Sequence, residues 1–190
     1  MMTTVASLII IACWLIFVGY WMSSARRVKP AAERQSRFSS LAHRAPLTLG
    51  GILLWFRSLP DPMSLAWLPH TDWARAAGAV VCALGLLVAI WSRRTLAGNW
   101  SSTVTFKLGH ELIEAGPYRF ARHPIYTGIL LMALGTAMVG ARLHCWLGFL
   151  MMCAGFWIKL TQEESLLLRH FPEDYPSYRA RVKALVPFVI

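Results

Sequence analysis

"PIYTGILLMALGTAMVGARLHCWLGFLMMCAGFWI", residues 124–158, carries a single charged side chain, Arg142. On either side of it lie the uncharged runs Pro124–Ala141 and Leu143–Ile158. A helix needs about 17–25 mostly apolar residues to cross a bilayer. Two such runs meeting at one charge read as a tight antiparallel hairpin of membrane helices. Val5–Met22 and Ala76–Ser92 repeat the pattern upstream. A fifth run, Pro46–Phe56, stops at Arg57 and "SLPDPMSLAWLP", where Pro60 and Pro62 end a helix. A helix over about 46–58 with an irregular interfacial return fits this run; a re-entrant segment is the alternative. The sequence therefore predicts an all-α integral membrane protein of about five transmembrane helices. It forms one domain, 1–190, with N-terminal helices in 1–92 and a more polar half in 93–190.

Composition agrees. The chain has 190 residues, 56% of them hydrophobic, and a mean hydropathy of +0.49. Soluble domains sit near 45–50% apolar. The net charge of +10 could suggest nucleic acid, but its distribution excludes that reading. Residues 23–45, 92–124 and 159–190 hold sixteen of the nineteen Lys and Arg, and with five spans all three lie on one side. The positive-inside rule makes that side cytoplasmic, with the N-terminus outside and the C-terminus inside, in the plasma (inner) membrane if the source is bacterial. Anionic lipid headgroups are the expected partners of these segments. The N-terminus lacks a basic n-region, so no cleaved signal is expected. Cys13, Cys82, Cys145 and Cys153 form no CxxC pair and read as reduced structural residues. No GxGxxG or P-loop is present, and the six histidines lack metal-ligand spacing, so no metal is expected.

Function concentrates in the polar segments. Residues 31–42 could form a short interfacial helix. Residues 93–123 are long for a loop, which suits a functional segment, and Trp100, Phe106, Tyr118 and Phe120 argue for order. In the tail, 159–171 has helical spacing, Pro172 and Pro176 interrupt, and 177–182 reads as another short helix. The densest stretch is "EAGPYRFARHPIYTG", residues 114–128. Pro124 suits the first helical position, which places His123 at the N-cap. Free N–H groups and positive partial charge at that helix start suit a carboxylate, and Arg119 and Arg122 add to them. The competing reading is an anchor of arginines and tyrosines at headgroup level. Asn99, Trp100, His110 and Glu111 stand upstream. Glu163 and Glu164 follow the fifth span, so the hairpin brings them to the His-Pro corner. Two acids beside a membrane are costly to bury without a cation; otherwise they are a solvated helix turn. Gly128, Ala133, Ala137 and Gly140 would let the fourth helix approach a neighbour closely.

These residues resemble the isoprenylcysteine carboxyl methyltransferase family, part of a wider group of small membrane methyltransferases that includes phospholipid N-methyltransferases. The resemblance lies in His110-Glu111-Leu112-Ile113, Gly116-Pro117-Tyr118, Arg122-His123-Pro124-Ile125-Tyr126, Glu163-Glu164 and "YPSYRARV" at 175–182, in that order. It covers roughly residues 93–188. It implies S-adenosyl-L-methionine as cofactor in a cytoplasmic pocket, with His110, Leu112, Gly116, Pro117, Tyr118, His123, Pro124 and Glu163 as cofactor-binding candidates. Arg122, Tyr126 and Glu164 become candidates at the reaction centre. Two departures are Phe171-Pro172, where the family often has Phe-Gly, and Lys159, where many relatives have an arginine with its bidentate fork.

The resemblance implies methyl transfer to a lipophilic acceptor, foremost the carboxylate of a prenylated cysteine. An α-carboxylate has a pKa near 3.5 and needs no general base at pH 7, and Arg122 could orient it. The first alternative is N-methylation of a phospholipid or other amine, which would need a base such as Glu164 or His123. The second is a non-catalytic lipid-binding membrane protein.

Overall fold

Six helices carry the structure, a computed structural model that describes residues 2–24, 31–34, 37–56, 59–67, 71–97, 105–107 and 112–189. They are α1 (Met2–Ser24), α2 (Arg37–Trp55), α3 (Asp72–Leu96), α4 (Pro124–Gly140), α5 (Leu143–His170) and α6 (Asp174–Arg181). Helices α1, α3 and α5 are long and apolar enough to cross a membrane, and α4 is a shorter apolar helix of 17 residues. Together they make a multi-pass membrane fold. Successive long helices alternate in direction. The connections α1–α2 and α3–α4 and the C-terminal tail therefore leave the bundle at one end, as the basic segments require.

Three boundaries differ from the sequence expectation. Helix α2 starts at Arg37, nine residues before Pro46, and keeps that proline inside; neighbouring helices make such a proline tolerable in a membrane bundle. Helix α5 runs unbroken from the apolar hairpin to His170, where a span and a separate tail helix were expected. Residues 31–34 are not helical. They form β1 (Ala31–Arg34), antiparallel to β2 (Thr105–Lys107), with Glu33 opposite Phe106 and Arg34 opposite Thr105. This ribbon ties together the two polar connections at the same end.

Glycine decides how closely the helices pack. A Cβ on Gly85 would lie 2.5 Å from the Gly128 carbonyl oxygen, and one on Gly128 would lie 2.6 Å from the Ala89 nitrogen. One heptad along, Gly78 and Gly135 repeat the contact, so α3 and α4 touch backbone to backbone. Gly50 and Gly148 do the same for α2 and α5. Helix α1 joins through the Trp14 indole, which donates to Thr136 Oγ1 at 3.0 Å.

The α4–α5 turn is only Ala141–Arg142, with Ala141 left-handed at φ 52°. It is braced from outside the turn. The Trp67 N–H donates to the Ala141 carbonyl at 2.8 Å, and the Leu143 N–H to that of Leu65 at 3.0 Å. Buried His144 lies between the Met63 and Phe56 carbonyls, at 2.8 and 3.1 Å. This fixes the far end of the hairpin, and with it the register in which the near ends meet.

Candidate active site at the open end of the hairpin

The approach to α4 begins at Gly116, whose φ of 58° favours glycine. A Cβ there would also press on Thr95 Oγ1 at 3.0 Å. Gly116–Arg119 form a 3-10 turn that buries Pro117 and Tyr118. Tyr178 of α6 donates its hydroxyl to the Tyr118 carbonyl at 2.7 Å. Burial, and next the negative charge of Glu163, push the Tyr118 phenol up from its ordinary range. Burial, followed by the charge of Glu114, does the same to Tyr178. Both phenols are therefore neutral donors at physiological pH.

His123 is the N-cap of α4 and Pro124 its first residue, as read from the sequence. The expected open N–H groups are largely taken, however. The Arg122 and His123 N–H groups donate to the Lys183 and Ala184 carbonyls at 2.8 and 2.9 Å, and those of Tyr126 and Thr127 to the His123 carbonyl. Thr127 Oγ1 donates to the Leu185 carbonyl at 2.7 Å. The tail thus straps the start of α4, and its carbonyls accept from N–H groups that could otherwise donate to a bound anion.

Side chains of α4 and α5 meet above this strap. Arg122 donates through Nε and Nη2 to Glu164 Oε1 at 2.9 and 2.5 Å. Its Nη1 reaches the carbonyls of Arg179, at 3.3 Å, and of Val182. Arg179 Nε stands 3.4 Å from the other Glu164 oxygen. His123 lies between the two acids, with Nε2 3.3 Å from Glu164 Oε1 and Nδ1 3.6 Å from Glu163 Oε2. Tyr126 donates to Glu163 Oε1 at 2.5 Å, and its ring is parallel to that of His123. Lys159 places its ammonium 5.2 Å from the centre of the Tyr126 ring, within cation–π range. Glu164 thus has in Arg122 and Arg179 the cations that a buried carboxylate demands. Side-chain exposure is 7% for Glu164 and 22% for Glu163, so Glu163 is the more open of the two.

Of the residues singled out from sequence, Arg122, His123, Tyr126, Glu163 and Glu164 come together. Gly116, Pro117 and Tyr118 lie in the turn leading to α4 and Pro124 opens that helix, with Tyr118 near enough to feel the charge of Glu163. Leu112 is half-buried in the segment leading to the turn. His110 and Glu111 lie outside the described residues, as do Asn99 and Trp100. Arg119 and Phe120 are exposed. Sequence reasoning missed Arg179, the strap of carbonyls 182–185, and His43 of α2, which is buried against Gln162. Arg179 lay within the quoted motif at 175–182, without a role given to it, and Gln162 stands next to the acids. Among the described residues no group of three or more His, Cys, Asp or Glu could hold a metal ion.

Comparison with known proteins gives the family of the chain. The family model described as phospholipid methyltransferase matches residues 73–174, more than half of the chain. The chain is 26% identical over 152 residues to protein-S-isoprenylcysteine O-methyltransferase of Rattus norvegicus, covering 78% of this chain and 54% of the relative. The Homo sapiens protein of that name is 24% identical with the same coverage. That of Schizosaccharomyces pombe is 35% identical over 81 residues, 42% of this chain and 34% of the relative. The chain thus spans about half the length of the first two. It belongs to the phospholipid methyltransferase family, alongside the isoprenylcysteine carboxyl methyltransferases that its motifs resemble.

Proposed function

We propose that the protein transfers a methyl group from S-adenosyl-L-methionine to a lipophilic acceptor, and that the acceptor group is the carboxylate of an isoprenylcysteine-like substrate. The observation that carries this is the meeting of Arg122, His123 and Tyr126 with Glu163 and Glu164 at one end of a membrane hairpin. Carboxylates and aromatic faces suit a sulfonium, so the donor set fits the cofactor. When bound, S-adenosyl-L-methionine supplies an electrophilic methyl group. The residues that would hold it are His110, Leu112, Gly116, Pro117, Tyr118, His123, Pro124 and Glu163.

The protein's own task is positional. A carboxylate acceptor is already ionised at pH 7, so no base is required. The nucleophilic oxygen must be held in line at about 3–3.5 Å and water excluded. Tyr126 aims Glu163, and Arg122 with Arg179 immobilises Glu164, so the walls are set before the acceptor arrives. An acceptor with an apolar tail can reach these walls from the bilayer between helices. The names of the relatives favour O-methylation. The description of the matching family model favours a second reading, N-methylation of a phospholipid amine, in which an ammonium must first lose a proton.

The test offers labelled S-adenosyl-L-methionine to the purified protein with a farnesylated cysteine analogue or phosphatidylethanolamine. Base-labile label on the cysteine analogue supports the ester. Base-stable label on the phospholipid supports the amine, and no transfer to either refutes both.

The same reading sets the topology: N-terminus outside, C-terminus and site in the cytoplasm. With the four native cysteines replaced, Gln35→Cys and Ser177→Cys should react only from the cytoplasm and Ala66→Cys only from outside. The reverse pattern would overturn it.

A further inference from the structure

The second helix reaches the site through a histidine. His43 is 2% exposed on α2, and its Nδ1 lies 2.8 Å from Gln162 Oε1. Gln162 Nε2 in turn donates to the Ser39 carbonyl at 3.1 Å. That second bond fixes which end of the amide faces His43. Gln162 offers an oxygen, so His43 Nδ1 must carry the proton. Two hydrogen bonds, one turn apart on α2, therefore grip one residue of α5.

The gripped residue immediately precedes the acid pair. At 3.6 residues per turn, successive side chains point about 100° apart. Gln162 faces α2, Glu163 faces Tyr126 and His123, and Glu164 faces Arg122. The axial rotation of α5 sets all three directions together. Closer to the middle of the bundle, α2 and α5 touch through Gly50 and Gly148 and through Gly155 against Leu47, contacts that set their spacing. The polar grip at Ser39, His43 and Gln162 is the hydrogen-bonded link beside the acids.

We infer that His43 is a positioning residue of the transfer site, acting through Gln162 to hold α5 at the rotation in which Glu163 meets Tyr126 and Glu164 meets Arg122. This rests on the proposed methyl transfer only for its kinetic consequence. It also gives the N-terminal helices a part in a site otherwise built from residues 112–185.

The test uses the full chain in lipid nanodiscs with ¹⁵N-labelled histidine. Wild-type His43 should show the Nδ1–H tautomer, and Gln162→Leu should abolish that signature. Gln162→Leu should also move the ring resonances of His123, because α5 carries both carboxylates that face it. In methyl transfer, His43→Leu should lower kcat about tenfold or more, as expected for misplaced groups, with little change in KM. His43→Asn, whose amide N–H stands where Nδ1–H does, should recover most of the loss. A packing role predicts the opposite order, since leucine fills the apolar volume better than asparagine. Unmoved His123 resonances in Gln162→Leu, an Nε2–H tautomer in wild type, or equal turnover of the Leu and Asn variants would each overturn the inference. A wild type that transfers no methyl group refutes the transfer reading, while the spectra still decide the positioning.

Discussion

Tyr126 of α4 and Glu163 of α5 share a hydrogen bond of 2.5 Å, joining the helices of the hairpin at the end opposite their covalent turn. The hairpin is thus closed twice, by Ala141–Arg142 and by this contact. A phenol donating to a carboxylate is a charge-assisted bond, shorter and stronger than a neutral one. Tyr126→Phe keeps the ring over Lys159 and beside His123 but frees Glu163. Turnover should fall by about 10²-fold, the scale of misplacement at a reacting centre. Kinetics of a folded Tyr126→Phe protein check this, and unchanged turnover would assign the bond to stability alone.

Glu163, the more open acid, is proposed to face the sulfonium. Glu163→Gln keeps the shape and removes the charge, so S-adenosylhomocysteine, which lacks the positive sulfur, should bind about as well as to wild type. S-adenosyl-L-methionine should bind more weakly, by about tenfold for a lost contact worth roughly 1.5 kcal/mol. Calorimetry with both ligands makes the comparison, and an equal loss for the two would place Glu163 against another part of the cofactor.

The α3–α4 contact leaves no room for a methyl group. In Gly85→Ala the new Cβ would lie 2.5 Å from the Gly128 carbonyl oxygen and 2.7 Å from the Met132 nitrogen, both backbone atoms that cannot rotate away. Overpacking of this kind costs about 1–3 kcal/mol. Gly19→Ala, with nothing within 4 Å of the added atom, is the control and should be neutral. Thermal unfolding in detergent should separate the two, and equal midpoints would mean that the helices part easily.

Much of this was legible because membrane helices announce themselves by length. The hairpin, the N-cap at His123 and the meeting of the acid pair with the His-Pro corner follow from uncharged runs and a proline with no N–H to lose. The boundaries of α2 and α5 do not, because a helix continues through Lys159, which its neighbours bury, and through Arg44, which stays exposed, and hydropathy registers neither. The strap at 182–185 works through backbone carbonyls, which every residue has, so no side-chain pattern marks it. His43 is invisible for the same reason: only the rotation of α5 tells which helix Gln162 faces.

The last prediction turns on how Arg122 uses its fork. The sequence expectation was a guanidinium turned toward the acceptor carboxylate or the headgroups. In the structure its donors go instead to Glu164 and to the carbonyls of Arg179 and Val182, and its side chain is 9% exposed. Arg122 therefore links α5 to the tail that straps α4, and we propose that it serves transfer by holding Glu164. A lysine ammonium can satisfy Glu164 or the carbonyls but cannot bridge both with the planar fork. Arg122→Lys should fold, bind S-adenosylhomocysteine within a few-fold of wild type, and lose about 10²-fold in turnover. Arg122→Ala leaves a buried carboxylate with only His123 and the half-exposed Arg179 beside it. Breaking a buried pair in this way costs about 3–5 kcal/mol, so that variant should unfold early. Arg122→Ala with Glu164→Gln removes the stranded charge and should recover stability but not turnover. Wild-type turnover in Arg122→Lys would show that a cation at headgroup level is all the position requires, and the bridge to Glu164 would then be a matter of folding alone.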